Sequence, residues 1–171
     1  MHALCAYPEL FSGAILVSAH SGMPENALEE RAARKASDEA WARRFESAET
    51  WEPLLGDWNA QGVFAGGSSL NRAESRYDRA VLAGQLRKWS LGRQGDLLPR
   101  LAEVSAPILW IAGEQDLKFA HLARKTQEAL GRRSSAEFWI APEAGHRVPW
   151  DQPELFKKRV QDWIFRTVLG R

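Results

Sequence analysis

Three short apolar runs constrain this chain most: GAILVSA (13–19), APILWIAG (106–113) and AEFWIAP (136–142). Each is continuous rather than alternating and too short for a helix. That is the signature of a strand covered on both faces, as in a parallel sheet. Pro107 is tolerated because it stands at the start of its run. Between and after the runs the pattern turns helical. AHLARKTQEALG reads as a helix ended by Gly131. The last 27 residues, AGHRVPWDQPELFKKRVQDWIFRTVLG excluding Arg171, read as a loop and an amphipathic helix with Phe156, Val160, Trp163, Ile164 and Val168 as its inner stripe. Strand, helices, strand, helix, strand, helix is an α/β order with about three parallel strands and flanking helices.

No strand pattern interrupts residues 23–102, which predict a helical insertion. NALEERAARKASDEAWARRFES places Leu28, Ala32, Ala36, Ala40, Trp41 and Phe45 at roughly helical spacing among arginines and glutamates. Shorter helices are expected around ETWEPLLGDWNA and RAESRYDRAVLAGQLRKWSL. At the start, Ala3, Leu4 and Tyr7 share a helical face that Pro8 breaks. The expected organisation is therefore 1–22, a helix end and a core strand; 23–102, a helical cap; and 103–171, an α/β core with two functional loops. Eight tryptophans are scattered without a period, which argues against a repeat array and for core anchors, with one or two on a pocket wall.

Composition excludes several classes. A net charge of +1 gives no basic field for nucleic acid or an anionic membrane. The single cysteine, Cys5, rules out an intramolecular disulfide framework and a thiolate metal cluster. No apolar run approaches the ~20 residues that span a bilayer. No metal or cofactor is implied, and a cytoplasmic location is expected.

The candidate chemistry lies just after the second and third runs. Asp116 follows APILWIAG and His146 follows AEFWIAP. Successive parallel strands deliver their C-terminal ends to one sheet edge, so residues 30 apart in sequence become neighbours. A carboxylate that accepts from an imidazole N–H fixes its tautomer and stabilises the imidazolium, as a general base requires. The alternative is that Asp116 only caps the following helix. His20 sits at a strand end, where a loop role is favoured, and His2 and His121 read as helix-surface residues.

PILWIAGEQD and APEAGHRVPWDQPELF resemble the acid strand and histidine loop of the α/β-hydrolase fold family. SAHSGMPENALEERAARKASDEAWARRF, GDWNAQGVFA and GEQDLKF resemble one branch of it. That branch comprises the synthases of menaquinone biosynthesis that form 2-succinyl-6-hydroxy-2,4-cyclohexadiene-1-carboxylate by eliminating pyruvate from a polycarboxylate precursor. The resemblance implies that Asp116 and His146 are triad acid and base. It implies that Arg34 binds a substrate carboxylate and that Trp58 covers the pocket, with Lys118 and Phe119 at its edge. Asn59 departs from the tyrosine usual after that tryptophan. The implied partner is a small-molecule carboxylate substrate.

The third triad member is the difficulty. Gly-x-Ser-x-Gly does not occur in residues 1–171. Ser18 and Ser21 lack the flanking glycines, and Ser90 in KWSLG has only half of them with no strand before it. The resemblance implies that the chain matches the C-terminal part of such an enzyme, with the nucleophile turn preceding Met1. Three readings follow: a synthase-like lyase, an esterase-type hydrolase, or a truncated non-catalytic copy that binds a ligand or partner. An apolar strand at 13–19, left at a sheet edge, would invite self-association.

Overall fold

The computed structural model describes residues 1–65, 67–68, 70–131 and 135–170. In chain order these form α1 (His2–Ala6), β1 (Ala14–Val17), α2 (Leu28–Ser47), α3 (Trp51–Asn59), α4 (Arg79–Lys88), α5 (Leu98–Leu101), β2 (Ile108–Gly113), α6 (Leu117–Leu130), β3 (Ala136–Ala141), α7 (Val148–Asp151) and α8 (Pro153–Ile164). Two compact units result. One comprises Met1–Ser21, Gly62–Ser68 and Leu97–Arg171; the other comprises Gly22–Gln61 and Ser69–Asp96. No helix among the described residues is long and apolar enough to cross a membrane.

The first unit holds a three-stranded parallel sheet in the order β1-β2-β3. Every residue of β2 is buried, as a central strand covered on both faces must be. Its side chains alternate between two cores. Ile108, Trp110 and Ala112 join Leu97, Leu101, Ala123 and Leu130 on one face. Leu109 and Ile111 join Val148 and Trp163 on the other. Fully burying a side chain of this kind contributes about 1.5–3 kcal/mol. The stripe expected on the last helix packs here: Phe156, Val160, Ile164 and Val168 surround Trp163. The helical run ends in a π-turn at Phe165–Leu169.

At β1 the ladder is one-sided. Ala14 and Ser18 donate to the carbonyls of Pro107 and Ile111. By the alternation of a parallel ladder, the peptide groups of Ile15 and Val17 face away from β2. Among the described residues no strand pairs with that side.

The second unit is helical, and its only pairing outside helices is an isolated Met23–Gly95 bridge among the described residues. Asp78 caps α4, accepting from the Val81 N–H at 3.0 Å, so this helix starts at Arg79. Of the apolar positions at helical spacing on α2, only Trp41 and Phe45 face inward. Ala32, Ala36 and Ala40 are exposed, and Leu28 is 72% exposed. The buried positions are Asp38, Ala42 and Phe45, with Arg31, Arg34 and Trp41 half-buried along the same side. Alanine is too small to define a face. Trp41 and Phe45 set the rotation through their packing with Trp58 and Trp51, and this turns Arg34 and Asp38 inward with them.

Candidate active site

Asp116 and His146 meet in the first unit. His146 Nδ1 lies 2.6 Å from Asp116 Oδ2. Asp116 is 4% exposed, and the imidazole is about one-quarter exposed. An ionised carboxylate only accepts, so Nδ1 is the donor in this pair, and in the neutral imidazole that leaves the lone pair on Nε2. The other oxygen of Asp116 accepts the Phe119 N–H at 3.2 Å, capping α6. The cap and the partner of His146 are therefore the same residue: the cap holds one carboxylate oxygen while the second meets the imidazole.

Backbone contacts beyond the strand ends bring the two loops together. Glu114 N–H donates to Ala141 O, and Gln115 N–H to Ala144 O, both at 2.9 Å. Gly113 makes this approach possible, since a Cβ there would stand 2.1 Å from the Gly145 carbonyl and 2.3 Å from that of Ala144. Ser18, at the end of β1, donates its hydroxyl to the His146 carbonyl at 2.8 Å. Its φ of 45° is strained for a residue with a Cβ. Three strand ends thus converge on His146.

The imidazole is walled by aromatic rings. Phe119 meets it edge-on at 4.7 Å between centroids and Phe64 at 5.7 Å. Lys118 is exposed and holds its ammonium 5.7 Å from the Phe119 ring. His20 lies edge-on to Phe119 at 6.4 Å. Among the described residues, no group of three His, Cys, Asp or Glu side chains could hold a metal ion.

Arg34 and Trp58 lie in the second unit, on a cavity of about 530 Å³. Its walls include Trp51, Trp58, Tyr77 and Trp89, with Arg34, Asp38 and Gln85 among the polar groups. Arg34 Nε donates to Asp38 Oδ2 at 2.8 Å; the Arg34 side chain is 42% exposed and that of Asp38 only 7%. One edge of the guanidinium is thus occupied and the rest remains accessible. Asp38 was not singled out from the sequence, although its i,i+4 spacing from Arg34 was a legible signal.

Other candidates are placed elsewhere. Ser90 is buried and accepts the Gly92 N–H, capping a 3-10 turn. Cys5 is half-buried, and burial raises its thiol pKa. His2 and His121 are exposed. Sequence reading missed Phe64, Arg147 and Asp151. Nothing in the spacing ties Phe64 to a histidine 82 positions away, whereas Asp151 was visible as an acid five residues after His146.

Residues 1–159 match the profile of the alpha/beta hydrolase family. The chain belongs to this family. Curated relatives are the 2-succinyl-6-hydroxy-2,4-cyclohexadiene-1-carboxylate synthases of Serratia proteamaculans and Klebsiella pneumoniae. The first is 32% identical over 95% of this chain and 62% of its own length. The second is 34% identical over 82% and 54%. The chain thus spans about three-fifths of the length of the first of these relatives. Among solved structures, MenH from S. aureus superposes with a TM-score of 0.79 at 23% identity, over 92% of this chain and 60% of that one. A thermophilic esterase from Thermogutta terrifontis gives 0.62 at 18% identity, over 96% and 60%. These last two likenesses speak to the fold alone.

Proposed function

We propose that this chain supplies the acid and base of a Ser-His-Asp proton-transfer site. The reaction it serves is elimination of pyruvate from a polycarboxylate precursor, in the cytoplasm, as in the synthases it resembles. The observation that carries the reading is the 2.6 Å contact between His146 Nδ1 and buried Asp116. It leaves Nε2 as the base, with a carboxylate behind it to stabilise the imidazolium. Arg34 supports the substrate class: a guanidinium with a free edge binds a carboxylate through a forked pair of hydrogen bonds. In this reading Trp58 supplies a flat apolar wall beside it, and Lys118 and Phe119 form the rim of the dyad.

The serine is supplied from outside residues 1–171, which hold no Gly-x-Ser-x-Gly. Residues 1–171 alone then give little turnover, because removing a triad nucleophile costs orders of magnitude in rate. Pyruvate release and short-chain ester cleavage, measured on the 171-residue chain and on the longest reading frame containing it, test the reading. Pyruvate release is expected only from a form carrying the serine turn, and His146→Ala abolishes it. Ester cleavage without pyruvate release would replace the synthase reading with that of an ordinary hydrolase. Near-native turnover by the 171 residues would show that no serine is needed.

A further inference from the structure

The first unit contains a polar clamp that the acid–base pair does not explain. Asp151, at the end of α7, accepts from two backbone N–H groups at once. Its Oδ2 takes Gly145 N–H at 2.9 Å and its Oδ1 takes Ser68 N–H at 2.6 Å. The other side of Ser68 is held as well: its carbonyl accepts from Arg147 Nη1 at 2.8 Å. Arg147 is 6% exposed, and its guanidinium lies 4.0 Å from the centroid of Phe64. Both peptide groups of Ser68 are therefore engaged by side chains from the turn that carries His146. The fit is close, since a Cβ on Gly145 would stand 2.8 Å from the Gly67 Cα.

These contacts end on the imidazole. Phe64 is held by Arg147 and by the clamp at Ser68, and its ring meets that of His146. Gly145, on the other side of His146 in sequence, is tied by the same Asp151. We infer that Asp151 is a positioning residue. By bridging Gly145 and Ser68 it holds Phe64 against His146, limits water at the ring, and keeps Nδ1 on Asp116. Charge-assisted bonds from two peptide groups to one carboxylate are strong enough for this.

The inference deepens the acid–base reading of the dyad and rests on it, yet its readout requires no turnover. In the full 171-residue chain, proton NMR follows the His146 Nδ1–H signal and its exchange with water, with amide signals of β2 and β3 reporting the fold. Asp151→Ala is expected to speed Nδ1–H exchange at least roughly tenfold, the equivalent of one lost charge-assisted bond, while the β2 and β3 amides stay protected. Asp151→Asn, which keeps one acceptor oxygen, falls between the two. A merely structural role would change the Ser68 and Gly145 amides and leave Nδ1–H exchange within about twofold of the unaltered chain, which would overturn the inference. Should Asp151→Ala fail to fold, Arg147→Gln releases the opposite corner of the clamp. Unchanged exchange in that variant would also overturn it. If the exchange responds but the longest reading frame containing the chain releases no pyruvate, the clamp stands and the proposed reaction falls.

Discussion

In the sheet unit, all six residues of β2 are buried and nearly all are apolar. In the helical unit, the 20-residue α2 buries only Asp38, Ala42 and Phe45. The first is held by apolar area on two faces of a sheet. The second is held by an aromatic cluster of Trp41, Phe45, Trp51 and Trp58, and by arginine–carboxylate pairs such as Arg87 with Glu39 and Glu46. A densely packed unit fixes two side chains to within a hydrogen bond. A unit with a large cavity and a partly charged lining leaves room for a ligand.

The largest expected effect breaks the rigid side of this contrast. Gly113→Ala pushes a methyl into two carbonyls and should cost about 3 kcal/mol, read as a lower denaturation midpoint. Amide exchange would then rise in β2 and β3 before α2 and α4. Asp116→Ala comes next. It removes a helix cap and the partner of His146 together, for an expected loss of about 2 kcal/mol in the same measurement. Asp116→Asn, which can still accept the Phe119 N–H, should cost less stability while still depriving His146 of its negative partner.

On the cavity side, Arg34→Ala should weaken binding of a small polycarboxylate by about 10- to 100-fold by calorimetry. Arg34→Lys should recover only part of this, because an ammonium cannot form the fork. The one-sided ladder of β1 carries a further expectation. Sedimentation at increasing concentration should show the 171-residue chain self-associating through residues 13–19, or else melting curves should show it to be poorly stable. A monodisperse monomer that unfolds cooperatively would refute this.

The smallest effect concerns the ion pairs of the helical unit. Hydrogen bonds from Arg87 and then Arg43 lower the Glu39 pKa from its ordinary 4.5 to about 2. A pKa lowered on folding stabilises the native state above the ordinary value. That contribution is lost as pH falls from about 4.5 toward 2. The pair is exposed and screened, so melting curves across this window should show a shallow slope that Glu39→Gln reduces.

Much of the dyad was legible because parallel topology is a strong rule. Three apolar runs place their ends at one edge, and Asp116 and His146 each follow such an end. The Ala-Gly that closes the second run was also visible, although only the structure gives the reason: the two loops touch at Gly113. The face of α2 was not legible. Alanines at helical spacing say little about rotation, and two aromatic residues decided it instead. Phe64 and Asp151 were hidden for a different reason. The ring and the cation that Phe64 meets, His146 and Arg147, lie about 80 positions away, and the distant partner of Asp151 is the Ser68 peptide N–H, which leaves no trace in that residue's identity.

The parallel sheet, the order of its strands along the chain, and which acid and which histidine follow them are all written in the order of residues. Buried strands and helix spacings are local patterns, written in hydrophobicity and glycine. That Asp116 divides its two oxygens between a helix cap and an imidazole follows from packing in three dimensions. The same holds for the inward turn of Arg34 and Asp38, and for the hold of Asp151 on Ser68 and Gly145. These are matters of direction and distance between side chains and peptide groups, which packing sets and composition does not encode.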